Sequence, residues 1–293
     1  MRITQRAVAL TSLQGLNRTL VDVGKLQEQL SSGRAISAPS DSPTGTNRAM
    51  QTRADQAAVD QQGRNITDTK GCLESADSVL QGMIDATRRV RDLTVQGSST
   101  GSLSPASQAA IGMEVSALRD TLLGQANSTV QGRPLFGGVT SGTVAYDAAG
   151  AWAGQGGAPI MRRVSDTEAV RVDLTGLEAF GPPGSDLFAL VGTIATNVTA
   201  DPAALAGNLA DLDVALDSML NAIADIGARA KRIERAEQIN SEQSLVLQSR
   251  LAETEGIDLP MTIMQLQMRQ IGYEAALSAT ARSIQPTLVD FLR

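Results

Sequence analysis

The chain contains no histidine, one cysteine and only three lysines, Lys25, Lys70 and Lys231. Catalytic triads and metal sites built on imidazole are thereby excluded, and Schiff-base chemistry at a desolvated lysine has little to draw on. Cys72 has no second cysteine to pair with, so neither an intramolecular disulfide nor a thiolate cluster can form. Placed between Gly71 and Leu73 on an apolar stripe, it reads as a small buried hydrophobe rather than a reactive thiol. Paired carboxylates remain, for example Asp211 with Asp213 and Glu253 with Glu255. Neighbours two apart on a helix point away from each other, and charged faces on helices are common. No catalytic residue, metal ligand or cofactor-binding residue is expected, and the chain does not read as an enzyme.

Aromatics are equally scarce, with four Phe, two Tyr and one Trp in 293 residues. Burial is therefore expected to come from Leu, Ile, Val, Met and Ala, a palette for helix packing rather than for aromatic pockets or a ligand cavity. Positive charge is in deficit too: the net charge is -6 and the pI near 4.8. Nucleic acid and anionic membranes, which are bound through clustered positive charge, are disfavoured as partners, and the longest basic cluster is Arg88-Arg89 with Arg91. No apolar run reaches the length of a bilayer span, so membrane insertion is not expected. The opening MRITQRAVALTSLQG lacks the apolar core and cleavage pattern of a secretory signal, so export would proceed without a cleaved signal peptide.

What the sequence does contain is heptad spacing. Across residues 3–32, Ala9, Leu13, Leu16, Leu20, Val23, Gln27 and Leu30 form a narrow helical seam that needs a partner. It stops in the stretch LQEQLSSGRAISAPSDSPTG. Gly33 suits the left-handed end of a helix, and Arg34 complements its negative dipole end. Pro39 then favours an extended link, Asp41 or Ser42 can cap a new helix, and Pro43 fits its first position. The second helix, to about Gln96, carries Val59, Ile66, Leu73, Ala76, Leu80, Met83, Thr87 and Val90 on one stripe. At 1.5 Å per residue it would be roughly 75 Å long, a rod rather than a globule.

Ser104-Pro105 begin a third helix with Ile111, Val115, Leu118 and Leu122 on its buried face. Between about 143 and 180 the period changes to two: Val144 and Tyr146, Ile160 to Val164, then Val170, Val172 and Leu174, among glycine-rich turns. Roughly forty residues cannot bury much alone, so this β-rich insert should lean on the helices. A short helix is expected over 186–198. Asp201-Pro202 cap and begin a long one, with Leu205, Leu209, Leu212, Leu216, Met219, Ile223, Ile226, Ala230 and Ile233 in unbroken four-three spacing. Glu237, Asn240 and Ser244 interrupt the stripe, either as a register device or as a surface for another subunit. Gly256 to Pro260 mirror the first break, and Met261, Met264, Met268, Ile271, Ala275 and Ser278 make a final seam that should match the first.

Three stretches carry a resemblance. The stop, link and restart of SSGRAISAPSDSP, the phrase ANSTVQGRPLFGG, and the C-terminal IGYEAALSATARSIQPTLVDFLR resemble the flagellin and hook-associated protein superfamily of the bacterial flagellum. Where that family usually has two adjacent aspartates before the proline, this chain has Asp41-Ser42. The opening MRIT and the Asp-Phe-Leu ending are more similar to its hook-associated members than to flagellins, whose tails are Gln-rich. The resemblance covers about residues 1–138 and 185–293. It implies a mainly α fold: a long antiparallel helical rod or bundle with paired N- and C-terminal helices and a small β-rich central insert. The expected segments are 1–42 (N-terminal helix and hinge), 43–138 with 185–256 (rod), 139–184 (insert) and 257–293 (C-terminal helix).

The resemblance further implies an extracellular structural subunit joining hook to filament, exported unfolded and assembled into a tubular homo-oligomer. Its partners would be copies of itself, a neighbouring hook-associated protein, flagellin and a flagellar export chaperone. The residues expected to carry self-assembly are Leu13, Leu16, Leu20, Val23, Leu30, Met261, Met264, Met268, Ile271, Leu288, Phe291 and Leu292. The hinge residues are Gly33, Pro39, Asp41, Pro43, Gly256 and Pro260. Three alternatives stand beside this reading: the seams as plain intramolecular core, flagellin itself, and a cytoplasmic coiled-coil scaffold or signalling protein.

Overall fold

The computed structural model describes residues 5–99 and 103–284. They are mainly helical: α1 (Gln5–Ser32), α2 (Pro43–Ser98), α3 (Pro105–Ala126), α4 (Gly176–Phe180), α5 (Leu187–Ala200), α6 (Leu205–Glu255) and α7 (Leu259–Ile284). Four short strands complete them: β1 (Thr129–Val130), β2 (Arg133–Pro134), β3 (Met161–Arg163) and β4 (Ala169–Arg171). Two compact units result. One comprises Val59–Gln243; the other comprises the chain up to Ala58 together with the chain from Ser244.

In the Val59–Gln243 unit, α2 and α6 run antiparallel. Asn240 donates to the Val59 carbonyl at 2.8 Å, Lys70 pairs with Glu237 at 2.9 Å, and Arg91 pairs with Asp213 at 2.7 Å, so the partner number falls as the α2 number rises. The seam between them is the heptad stripe read from sequence: Ile66, Leu73, Leu80, Met83 and Val90 lie in one core with Leu205, Leu212, Met219, Ile226 and Ile233. At about 1.5 to 3 kcal/mol for each fully buried aliphatic, this seam dominates the stability of the unit. Of the polar interruption of α6, Asn240 is half-buried and tied to the α2 backbone, whereas Glu237 is exposed and pairs with Lys70 at the surface.

The smaller helices end where their caps dictate. Ser104 accepts from the Ser107 N–H ahead of Pro105, Asp186 from the Ala189 N–H, and Thr175 with Glu178 closes a capping box on α4. Asp201 departs from expectation. It makes no side-chain cap, and a 3₁₀ turn, Pro202–Ala204, precedes α6, which begins at Leu205. Two antiparallel hairpins form: β1–β2, which precedes the expected insert at 139–184, and β3–β4, the one hairpin within it. The tight turn of the first has both central residues at positive φ, Gln131 at 52° and Gly132 at 78°, the geometry that matches strand twist. Val144 and Tyr146 form no strand; Tyr146 makes an isolated bridge to Trp152.

The sparse aromatics are not spread through the core but gathered. Phe136, Tyr146, Phe180 and Phe188 pack edge-on or tilted, with centroids 4.6 to 6.0 Å apart, and all four are buried. Elsewhere the core is built from Leu, Ile, Val, Met and Ala as expected; these four rings are the exception, and they bring the loop before β3, α4 and α5 together, where short segments offer too few aliphatic contacts. The insert also leans on the helices through polar ties. Arg229 donates to the Asp173 carbonyl at 2.8 Å, Arg232 pairs with Glu168 at 2.9 Å, and Asn65 donates to the Arg163 carbonyl at 2.8 Å.

Candidate assembly surface and hinge

The unit formed by the two ends of the chain begins with the break after α1. Gly33 takes the left-handed conformation at φ 69°, and its N–H donates to the Gln29 carbonyl at 2.8 Å, so the helix ends as its sequence dictates. The two candidate caps divide the work. Ser42 caps α2 by accepting from the Gly45 N–H at 3.1 Å. Asp41 holds the link instead, accepting from the Ser37 and Ala38 N–H groups and the Ser37 hydroxyl, with Lys25 at 2.7 Å. Lys25 and these backbone donors keep the Asp41 carboxyl well below the ordinary carboxylate range, and Asp41 in turn raises Lys25. Pro43 occupies the first position of α2, and Pro39 stays exposed in the link.

The second break is shorter. α6 ends at Glu255, Gly256 follows, and Asp258 opens α7 by accepting from the Met261 N–H at 3.1 Å, with Pro260 in the first turn, where its missing N–H costs nothing. The breaks meet: Arg34 and Gly256 form an antiparallel bridge, and the Ala35 N–H donates to the Glu255 carbonyl at 2.6 Å.

From this meeting point α1 and α7 pack along each other. Their sense is antiparallel: the end of α1 meets the start of α7, and Asp22, about ten residues back along α1, pairs at 3.5 Å with Arg269, about ten residues into α7. The covered positions on α1 are Ser12, Leu16, Thr19, Val23, Leu26 and Leu30; those on α7 are Thr262, Leu266, Tyr273 and Thr280. Leu16, Val23 and Leu30 of the sequence-derived seam therefore face α7, whereas Leu13 and Leu20 are half exposed.

The seam expected on α7 does not face α1. Met261 and Met264 are 47% and 50% exposed, and Met268 and Ile271 are each 67% exposed. At 100° per residue this stripe lies roughly 150° around the helix from the covered one. Leu288, Phe291 and Leu292 lie outside the described residues. Sequence reasoning missed Leu26, Leu266 and Tyr273, each of which shares its heptad frame with Ser or Thr, so that the covered stripe carries less apolar signal than the exposed one.

Among the described residues no group of three His, Cys, Asp or Glu could hold a metal ion, and no helix is long and apolar enough to cross a membrane. Cys72 lines a cavity of about 150 Å³ beside Val130, Leu135, Ile160 and Arg162. Burial, with Asp173 adding to it and Arg162 opposing it, pushes the thiol pKa up, which keeps it protonated and a weak nucleophile.

Comparison with known proteins agrees with the arrangement of helices. The family of the bacterial flagellin N-terminal helical region matches residues 3–150. Flagellar hook-associated protein 3 of Salmonella typhimurium is 24% identical over 303 residues, covering 94% of this chain and 95% of that protein. Polar flagellin C of Vibrio parahaemolyticus is 31% identical over 137 residues, 46% of this chain and 35% of the flagellin. Among solved structures, flagellar hook associated protein-3 of Legionella pneumophila matches with a TM-score of 0.61 at 16% identity, over 70% of this chain and 98% of that one.

Proposed function

We propose, from the premise that this chain belongs to the family of the bacterial flagellin N-terminal helical region, that it is the structural subunit joining hook to filament in a bacterial flagellum. It is not an enzyme; its relatives are hook-associated proteins and flagellins, and its place is the extracellular flagellum. The junction role is favoured over the filament role by extent: similarity to hook-associated protein 3 runs through 95% of that protein, whereas the flagellin match stops at 35%.

The observation that carries the mechanism is the apolar outer face of the α1–α7 pair, where Leu10, Leu13, Leu20 and Val21 on one helix and Met261, Met264, Met268 and Ile271 on the other are 47% to 69% exposed. A two-helix pair with this much bare apolar surface is marginal alone, and burying it between copies supplies the missing stability. Assembly is thus coupled to the ordering of the chain ends. The antiparallel α2 and α6 form the long rod of the subunit, the insert decorates it, and the paired ends line the wall of a tube of identical copies. A second hook-associated protein lies on the hook side and flagellin on the filament side. An export chaperone covers the apolar terminal stripe before assembly, and the chain leaves the cell unfolded without a cleaved signal peptide.

Deleting the gene and examining both cells and culture fluid tests the proposal. Intact hooks without filaments, with flagellin released as monomer, are the expected result. Loss of flagellin from cells and medium alike would make this chain the filament subunit, and normal flagella would return it to the scaffold reading.

A further inference from the structure

We infer that the two breaks of the chain form a single joint pinned by Glu255, so that α1 and α7 are aimed together as one body and cannot bend separately. Two separate hinges would need only a flexible link and a glycine. The structure instead converges three segments on one carboxylate. Glu255, at the end of α6, is 5% exposed; Arg53 reaches it from α2 at 2.7 Å, and Arg34 reaches it from the link at 3.9 Å. Its backbone is engaged as well, through the carbonyl that accepts from Ala35 and through the neighbouring bridge between Arg34 and Gly256. The link can leave its seat only by breaking contacts to Glu255 and Gly256, the residues at which the chain turns from α6 towards α7.

The surroundings indicate that charge and backbone bonds, rather than close packing, keep the joint shut. A cavity of about 200 Å³ lies against Glu255, lined by Arg34, Ile36, Ala38, Thr46 and Arg53. The Thr46 hydroxyl is buried in that region without a hydrogen-bond partner. The buried Glu255 carboxylate depends on its two guanidiniums, because removing them leaves it desolvated and unmatched, whereas the arginines themselves stay in contact with water. Gly256 is required by the same geometry, since a Cβ there would collide with the Ala252 carbonyl oxygen. Glu255 and Arg34 are therefore positioning residues: they set the angle at which the apolar face of the α1–α7 pair is presented. The inference concerns the isolated chain and stands whether or not the flagellar reading does.

Hydrogen exchange on the full chain reads the coupling. Arg34→Met, at a largely exposed side chain on the link, is expected to raise exchange about threefold both at 35–38 and in the second break at 256–262, the scale of an exposed ion pair. Glu255→Gln, which keeps the shape and removes the charge, should produce the same paired increase. Unchanged exchange within residues 59–243 controls for folding. Faster exchange at 35–38 alone after Arg34→Met, or no change at either break in both variants, would overturn the single joint.

Discussion

Replacing Tyr146 by Phe should stabilise the Val59–Gln243 unit, although it removes a polar atom from a tyrosine. The ring is 1% exposed and fixed between Phe188 at 4.6 Å and Phe180 at 6.0 Å, yet its hydroxyl is buried without a hydrogen-bond partner. Burial, with Asp186 adding to it, pushes the phenol well above its ordinary pKa, so the group stays neutral and offers no compensating charge interaction. An unsatisfied buried hydroxyl costs about 1 to 3 kcal/mol, and its removal leaves every ring contact in place. The expected gain is about 1 kcal/mol, or roughly 2–4 °C in Tm for a unit of this size. Gly176 sharpens the test. A Cβ there would strike the Tyr146 hydroxyl first and then ring carbons at 2.8 Å. Gly176→Ala should therefore destabilise the native chain by more than it destabilises the Tyr146→Phe background, with a coupling of about 1 kcal/mol. Trp152 is the only tryptophan and donates to the Phe136 carbonyl at 3.1 Å, so its fluorescence reports melting of this cluster directly. A loss of 1 kcal/mol or more in Tyr146→Phe, or additive effects in the double variant, would refute the reasoning.

Arg229, with its side chain 9% exposed, donates to the Asp173 carbonyl at 2.8 Å and pairs with Asp225; Arg229→Met should cost about 2 kcal/mol, and exchange in 160–174 should rise with it. Asp41 is held below the ordinary carboxylate range, so its contribution is complete above the unfolded value of about 3.9 and fades as pH falls below it. Its carboxyl ¹³C titration should have a midpoint well under 3.9, and a midpoint at that value would show the Lys25 and backbone bonds to be ineffective. Met268→Asp with Ile271→Asp, at positions each 67% exposed, should leave the stability of the isolated chain unchanged within about 0.5 kcal/mol and abolish polymer formation in a sedimentation assay; polymers of normal yield would remove this face from assembly.

The seam of α2 and α6 was legible because each helix buries one stripe against one partner, so the heptad that is most apolar is also the one that is covered. Polar residues on that seam could not be assigned from sequence, since Asn240 acts through a carbonyl 181 positions away. The aromatic cluster was illegible for a related reason: Phe136, Tyr146, Phe180 and Phe188 come from segments with no shared period, and only the fold brings them together.

The chain ends teach more by where the pattern failed. On α1, the sequence-derived frame and the covered frame share Leu16, Val23 and Leu30 and differ in whether Leu13 and Leu20 or Ser12, Thr19 and Leu26 are turned inward. On α7 the two frames have no member in common: Thr262, Leu266, Tyr273 and Thr280 are covered, while Met261, Met264, Met268 and Ile271 are bare. A helix pair selected for stability as a monomer would turn its most apolar stripes together, because burial scales with apolar area removed from water. On α1 the covered stripe keeps four large aliphatics, but α7 turns its weaker stripe inward and its stronger one out. The mismatch is accounted for if the stronger stripe is kept for other copies, where unbranched methionine side chains adapt to neighbours related by small rotations. Swapping Thr262 and Thr280 for leucine tests that balance. Stabilising the internal face this way should protect α1 and α7 from proteolysis in the isolated chain, and polymerisation should persist because the outer face is untouched.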